Sequence, residues 1–430
     1  MEHSSACRVN QPTDLTSRKS IVFAAETLNL AEVTRMVEIA KVARRSFDPI
    51  FLSYDGAGRN HAYIEKHGFP VHRLMPQLDD AAVERFWRAD RMESWTEDFF
   101  SEEDLARRVE SELALYRQVN PVAVVTGFCL SVVISARAAK VPLVWVAQST
   151  WLDEYSRRFA GWPDFADWAP LRLLPEGFRD AVARRLIPVG YAMWARGFNR
   201  LGRRYGLAPL KGSGLFEGDH TLFAEPEGFS EVGIPERLAG RAAFVGPLLG
   251  ALDVPVPEEI EQLPRDLPIV YFAMGSSGIE SVVVETLRAF DKQPFRVIAP
   301  VGNLVKGRID VPSNVVVTGW IPAERVNPLA RVSVLHGGIG TLLTACQSGT
   351  PIVGIPNGNP EQEWNIGALV RKGFAVHLHK NRLTPEAVVS AVRRFLSDDE
   401  AQRRAQAFAT VCRAWNGPEN AAAYLEAHLL

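Results

Sequence analysis

Cysteine and long apolar segments are scarce in this sequence, and both shortages exclude classes of protein. The 430 residues include four cysteines that lack a CxxC spacing, so they indicate neither a disulfide framework nor a zinc site. No apolar run is long enough to cross a bilayer, and the polar segment 1–17 lacks the apolar core of a signal peptide. The formal net charge of -2 gives no overall field that would attract nucleic acid or an anionic membrane. We therefore expect a cytoplasmic protein.

The composition is that of a folded enzyme with a large core. Hydrophobic residues make up 47% and charged residues 23% of the chain, and a chain of this length typically forms two or three domains. Short apolar runs alternate with segments of helical periodicity, a pattern that predicts parallel sheets covered by helices on both faces. The predicted strands are 20–25, 49–53, 122–126, 141–146, 269–273, 295–299, 314–318, 332–335 and 351–355.

The alternation is interrupted once, by a segment rich in proline and glutamate, and this interruption predicts a boundary between two domains. We predict a disordered N-terminal tail, an N-terminal Rossmann-like domain, a linker, a C-terminal Rossmann-like domain, and a C-terminal helix that packs back on the N-terminal domain. These parts comprise residues 1–17, 18–245, 246–266, 267–414 and 415–430. Ligands of doubly wound sheets bind at the carboxyl ends of the strands, so the site is expected in the cleft between the domains.

The clearest motif is His336-Gly-Gly-Ile-Gly-Thr341, which follows one predicted strand and precedes a predicted helix that includes Leu342 to Gln347. Glycines allow the backbone to approach a diphosphate, and the first turn of a helix offers unpaired N–H groups and a positive dipole end. A tight strand-to-helix connection with no ligand is the alternative for such a turn taken alone.

The neighbouring motifs make the pattern more specific. Gly319-Trp-Ile-Pro-Ala323, the Gly-rich turn, Gly349-Thr-Pro351, Pro356 and Pro360-Glu-Gln-Glu-Trp-Asn365 occur in an order that resembles the donor signature of the UDP-glycosyltransferase family, glycosyltransferase family 1, in its bacterial-type spacing. The resemblance implies the GT-B fold, with two Rossmann-like doubly wound domains facing a central cleft. In that fold the N-terminal domain, 18–245, would bind the acceptor, and the C-terminal domain, 267–414, would bind the nucleotide sugar. It also implies these donor-binding residues: Gly275, Ser276, Ser277, Trp320, Ile321, Val326, His336, Gly338, Gly340, Thr341, Glu361 and Gln362. For Trp320 the alternative is an ordinary buried aromatic, and for Glu361 and Gln362 it is the first turn of a helix.

The chain departs from the family pattern at three positions. Thr344 stands where relatives often carry a glutamate that holds the ribose. Glu32 stands at the position of the catalytic histidine, and Gly127 stands at about the position of the aspartate that orients it. The usual catalytic dyad is therefore absent.

Glu32 has two interpretations. It can replace the missing base if burial raises its pKa from the usual value of about 4.3 towards the working pH. Alternatively, it can serve only as an acid in the first turn of a helix, where the dipole favours negative charge. Two other possibilities do not need Glu32 as base: a group of the acceptor or a phosphate takes the proton, or the acceptor is itself acidic or nitrogen-containing and needs little help.

Aromatic residues are concentrated in the N-terminal half. By resemblance they suggest a small aromatic or apolar acceptor, with Phe86, Trp87, Phe128 and Trp151 as candidate acceptor-binding residues, whereas helix packing is the alternative for each of them.

Arginines between 157 and 204 are expected to form a solvated helix face, the alternative being attraction of an anionic acceptor or a membrane surface. His377 and His379 alternate along a predicted strand and could bind metal, but the sequence shows no third ligand, so no metal is predicted.

These observations predict an inverting glycosyltransferase that moves a sugar from a nucleotide-diphosphate sugar, UDP- or dTDP-linked, to a small acceptor, with Glu32 as base. The nucleotide sugar is a co-substrate, and no cofactor is expected. As partners we expect only the donor and the acceptor, with no nucleic acid, at most weak peripheral membrane association, and a monomer or homodimer. The alternative is a catalytically silent relative that binds a nucleotide sugar or activates a partner transferase, and an epimerase of the nucleotide sugar ranks last.

Overall fold

The structure is a computed structural model that describes residues 18–56, 60–90, 93, 98–168, 170–275, 278–305, 310–379 and 382–430. The predicted disordered tail, 1–17, lies outside these residues, as do Ser276 and Ser277 of the predicted donor loop. Within the described part of the chain, the strands form two separate parallel sheets.

The first sheet is built from the N-terminal half, and its strands lie in the order β3-β2-β1-β4-β5-β6-β7. All six neighbouring pairs are parallel. The strands are β1 (Lys19–Ala24), β2 (Phe47–Ser53), β3 (Val71–Arg73), β4 (Val124–Thr126), β5 (Leu143–Ala147), β6 (His220–Phe223) and β7 (Ala242–Phe244). The helices of this half are α1 (Leu30–Ala43), α2 (His61–Lys66), α3 (Asp80–Asp90), α4 (Glu102–Val119), α5 (Val132–Ala139), α6 (Asp153–Phe159), α7 (Glu176–Trp194) and α8 (Arg196–Arg204).

The second sheet follows after a short helix, α9 (Glu258–Glu261), that forms within the predicted linker. Its order is β10-β9-β8-β11-β12-β13, again with parallel pairing throughout. The strands are β8 (Ile269–Ala273), β9 (Arg296–Ala299), β10 (Val315–Val317), β11 (Val332–Leu335), β12 (Ile352–Gly354) and β13 (Ala375–His377). The helices are α10 (Glu280–Ala289), α11 (Ala323–Val326), α12 (Ile339–Ser348), α13 (Pro360–Arg371), α14 (Pro385–Ser397), α15 (Asp399–Arg413) and α16 (Gly417–Leu429).

The apolar runs form strands because both faces of each sheet are covered. Every residue of β5 and of β8 is buried, which is why these strands read as continuous apolar segments rather than as alternating ones. In both sheets the strand order reverses next to the first strand of the half, at β1/β4 and at β8/β11. Such a switch point opens a crevice at the carboxyl ends of the strands. The predicted α/β fold class is confirmed.

The end of the chain returns to the first half. Helix α16 packs on α1, and Ala421 and Leu425 share a buried cluster with Val33 and Val37. The domain limits given above stay a prediction. Among the described residues, no helix is both long and apolar enough to cross a membrane.

Candidate functional site

The Gly-rich turn lies between β11 and α12, at the carboxyl edge of the second sheet. Helix α12 begins at Ile339, earlier than the predicted segment from Leu342, and Gly338 is its N-cap in an extended conformation. Gly340 and Thr341 therefore belong to the first helical turn, whose N–H groups have no acceptor within an α-helix. The turn has the geometry of an anion-binding site.

His336 lies between two backbone segments of this site. A Cβ atom added at Gly275 would lie 2.4 Å from His336 Cε1, and one added at Gly338 would lie 2.6 Å from Nε2. Both glycines are thus required by the close approach of the imidazole. The side chain is buried, and this burial lowers the pKa of His336 to about 4. The imidazole is neutral at pH 7 and offers one N–H donor.

The first turn of α13 closes the site from the other side. The Asn359 side chain caps this helix by accepting from the Glu361 N–H (2.9 Å). Gln362 is buried, and its Oε1 accepts from the Asn357 N–H (2.9 Å), whereas Glu361 Oε1 accepts from Asn365 Nδ2 (3.0 Å). Of these two predicted donor-binding side chains, Gln362 therefore holds the loop before α13, and Glu361 holds a side chain of the helix itself.

Trp320 lies in the loop after β10 and is 56% exposed. The interpretation of Trp320 as a buried core aromatic is therefore wrong, and its indole is available as a stacking surface. Ile321 and Val326 are buried, so their side chains fix the loop from inside. Thr344, at the position of the family's ribose-binding glutamate, donates its hydroxyl to the Gly340 carbonyl (2.9 Å), and thus binds its own helix.

The two halves meet directly at the carboxyl ends of their sheets. Thr150, just after β5, donates to Asn365 Oδ1 on α13 (2.7 Å), and Asn365 Nδ2 donates to the Gly337 carbonyl (3.3 Å). The Tyr155 hydroxyl donates to the Trp364 carbonyl (2.6 Å). These bonds connect the first half to the helix that supports the Gly-rich turn.

Glu32 and Gly127 form one unit. Glu32 is 3% exposed in the first turn of α1, and its Oε1 accepts from the Gly127 N–H at the end of β4 (2.8 Å). A Cβ atom at position 127 would lie 2.4 Å from both carboxylate oxygens of Glu32. The carboxylate of residue 32 therefore occupies the space that a side chain at 127 would need. Burial raises the pKa of Glu32, and Arg35, 3.7 Å away, opposes this rise.

The four predicted acceptor-binding aromatics come together in one cluster. Phe128 is at the centre, with ring centroids 6.0 Å from Phe86 and 5.9 Å from Trp151, and Phe86 also contacts Trp87 (5.7 Å). The cluster lies beside an apolar cavity of about 230 Å³ between α7 and α13, which it reaches through Phe99. The described residues that line this cavity do not include the four. They do include Phe99, Leu186, Tyr191, Trp194, Pro360 and Trp364.

The arginines of this region are largely exposed, and several pair with acids. Arg196 contacts Asp98 (3.1 Å), and Arg200 and Arg204 both contact Glu102. The solvated face expected from the sequence fits these contacts.

Two buried acids at the carboxyl edge of the first sheet were missed by sequence reasoning. Glu26, two residues after β1, pairs with the fully buried Arg108 of α4 (2.8 Å). Glu225, two residues after β6, accepts from the Ser149 N–H (3.1 Å), and burial raises the pKa of Glu225 to about 7. A charged residue directly after an apolar strand was the available signal for both.

Comparisons with known proteins agree with this geometry. A family model described as "Erythromycin biosynthesis protein CIII-like, C-terminal domain" matches residues 283–427, the part that carries Trp320, His336 and Glu361. A PGL/p-HBAD biosynthesis glycosyltransferase of Mycobacterium tuberculosis is 29% identical over 413 residues, which cover 92% of this chain and 90% of that protein. These matches support the resemblance to the UDP-glycosyltransferase family.

Another relative and two solved structures are similar to this protein over most of the chain. A PGL/p-HBAD biosynthesis rhamnosyltransferase of Mycobacterium bovis is 29% identical over 411 residues, covering 91% of this chain and 84% of that protein. The crystal structure of the glycosyltransferase of kitacinnamycin superposes with a TM-score of 0.68 at 20% identity, over 95% of this chain and 99% of the other. Glycosyltransferase VinC, solved in complex with dTDP, gives a TM-score of 0.67 at 18% identity, over 95% and 99%. The predicted GT-B fold is thereby confirmed, and the enzyme is a glycosyltransferase.

Proposed function

We propose that this glycosyltransferase transfers a sugar, with inversion, from a UDP- or dTDP-sugar to a small aromatic or apolar acceptor. The observation that carries the proposal is the position of α13. One side of its first turns packs on the Gly-rich turn, since a Cβ atom at Gly337 would lie 2.8 Å from the Gln362 carbonyl. Its other side lines the apolar cavity through Pro360 and Trp364. A diphosphate site and an apolar cavity thus share one helix.

The donor side is supported by three features of different chemistry. The first turn of α12 supplies N–H groups for a diphosphate, the neutral His336 imidazole packs against Gly275 and Gly338 and so shapes the turn, and exposed Trp320 supplies a surface for the nucleobase. Such fixed donors stabilise the charge that develops on the leaving diphosphate. The bound dTDP of VinC supports the thymidine nucleotide of these two.

The acceptor side is supported by the cavity between α7 and α13. Its lining is largely apolar, and Leu186 and Val189 of α7 line it while remaining about half exposed (52% and 53%). The cavity therefore opens to solvent along α7, so that an acceptor larger than the cavity could extend outward. Apolar pockets of this kind select ligands by buried area.

For the proton, we propose Glu32 as the acceptor. Burial raises the pKa of its carboxyl group, which makes the carboxylate a better base than an exposed one. If Glu32 is instead an anchor for the end of β4, its charge contributes nothing to the rate.

A nucleotide screen tests the donor assignment. Purified protein is mixed with UDP, dTDP, GDP or ADP, and thermal stability and heats of binding are measured. We expect UDP or dTDP to raise the melting temperature, because a ligand of the native state stabilises it by mass action, and Trp320→Ala to reduce that effect by about 10-fold or more in affinity. Turnover is then sought with the matching sugar nucleotide and phenolic acceptors.

Two results would contradict parts of the proposal. Equal or absent effects of all four nucleotides would remove the donor site. Clear nucleotide binding with no transfer to any acceptor would instead indicate the catalytically silent relative.

A further inference from the structure

A second cluster of polar side chains joins the two halves away from the Gly-rich turn. Asp164 lies in a 3₁₀ turn between α6 and α7, and His377 and His379 lie at the end of β13, the edge strand of the second sheet. Asp164 Oδ1 is 2.6 Å from His379 Nδ1, and Asp164 Oδ2 is 3.4 Å from His377 Nε2. Residues more than two hundred positions apart thus meet in one place.

The geometry points to a binding site for a divalent metal ion of the zinc type, held by Asp164, His377 and His379. One potential ligand atom from each residue lies within 4.8 Å of the other two. In a tetrahedral zinc site with bonds of about 2.0 to 2.1 Å, neighbouring ligand atoms are about 3.3 to 3.4 Å apart. The separation of 3.4 Å between Asp164 Oδ2 and His377 Nε2 already has this value.

Burial and the surrounding contacts favour a built site over a chance cluster. Asp164 is 1% exposed, and its backbone N–H is held by both carboxylate oxygens of Glu363 (3.1 and 3.2 Å). His377 Nε2 is buried and has no hydrogen-bond partner among the described residues. His379 is 40% exposed on its side chain, which leaves one direction open for entry of the ion and for a water as fourth ligand.

The ligand set selects the class of ion. Two imidazoles and one carboxylate suit zinc and its transition-metal neighbours, whereas Mg²⁺ and Ca²⁺ prefer oxygen ligands alone. The neighbours of Asp164, Pro163 and Phe165, line the apolar cavity. A bound ion would therefore fix one wall of the cavity to the second sheet and hold the two halves together.

Metal titration of the full chain tests the site without substrates. After chelator dialysis, Zn²⁺ binding is measured by calorimetry, Co²⁺ binding by its visible absorption, and thermal stability with Zn²⁺ or Mg²⁺. We expect one Zn²⁺ per chain at micromolar concentration, the intense bands of four-coordinate Co²⁺, and a rise in melting temperature with Zn²⁺ but not Mg²⁺.

The variants are His379→Ala and Asp164→Asn, with His428→Ala as the matched control. His428 belongs to another histidine pair, with its ring centroid 5.3 Å from that of His220. We expect the first two to weaken Zn²⁺ binding by more than about 100-fold, beyond the effect of losing a second-shell partner, and the control to bind normally. His379 is partly exposed, so its loss should leave the fold intact, as circular dichroism would show. Absence of Zn²⁺ binding to the natural chain, or equal binding by His379→Ala, would overturn the inference whatever the nucleotide screen gives.

Discussion

The contact between Glu32 and Gly127 makes a quantitative prediction about two positions that are 95 residues apart. Alanine at 127 would place its Cβ 2.4 Å from the Glu32 carboxylate, well inside van der Waals contact. Because the carboxylate is buried and held by the Gly127 N–H, it cannot swing out freely. We expect Gly127→Ala to cost about 1 to 3 kcal/mol, the usual range for overpacking a core.

The same substitution should behave differently once the carboxylate is removed. In a Glu32→Ala background the added methyl group has room, and Gly127 does not have a positive φ. Gly127→Ala should then be neutral or stabilising by up to about 1 kcal/mol, because alanine restricts the unfolded chain more than glycine does. The coupling energy between the two positions is therefore expected to be about 1 to 4 kcal/mol.

Thermal unfolding of the four proteins, followed by tryptophan fluorescence, measures this coupling. Each kcal/mol corresponds to roughly 2 to 4 °C for a domain of about 200 residues, so the expected difference is several degrees. Gly177→Ala in α7, where a Cβ meets nothing within 4 Å, controls for the general effect of alanine. An equal loss of stability from Gly127→Ala in both backgrounds would refute the steric coupling.

Two further predictions concern buried carboxylates. Glu32→Gln should lower kcat by about 100-fold or more with donor affinity nearly unchanged if Glu32 is the base, and an unchanged kcat in steady-state assays would leave it only a structural role. Burial raises the pKa of Glu225 from 4.5 to about 7, so the native state binds a proton at this carboxyl group more tightly than the unfolded state does. The stability that this protonation contributes is present below pH 4.5 and is lost as the pH rises through 7. Glu225→Gln should therefore leave the free energy of unfolding nearly unchanged at pH 4.5 and raise it by about 3 kcal/mol at pH 8. Denaturant titration at both pH values measures this difference, and equal effects at the two pH values would count against the raised pKa.

Much of the fold could be predicted because its signals are local. Strands β8 and β11 match their predicted limits, since a parallel strand buried on both faces is a continuous apolar run that ends at turn residues. The Gly-rich turn was found for the same reason: its glycines, its histidine and the start of α12 all lie within a few residues. Trp320 also follows a strand directly, and the structure leaves it exposed.

Features that depend on distant pairs could not be predicted. Asp164 meets His377 and His379 in the structure but is 215 residues from His379 in the sequence. Nothing around Asp164 in the sequence indicates that it contacts the end of β13. Aromatic composition likewise cannot separate core from pocket: Tyr191 and Trp194 of α7 line the cavity, whereas Phe86 and Trp151 are not among the described residues that line it. Only the packing of α7 against α13 decides which aromatic rings face the cavity.

Glu32 and Gly127, the two departures from the catalytic dyad of the family, are in contact in the structure and can be understood as one change. The resemblance implies an aspartate that orients a catalytic histidine, whereas here the carboxylate itself comes from α1 and is held by the Gly127 N–H at the end of β4. A carboxylate remains in this region, but no imidazole stands between it and the cleft. Even with a raised pKa, a carboxylate is a weaker base than would suit an aliphatic alcohol, whereas a phenol, with a pKa of about 10, needs far less help. We therefore expect the Glu32→Gln loss in kcat to be larger for aliphatic alcohols than for phenols, and equal losses for both would argue against proton transfer to Glu32.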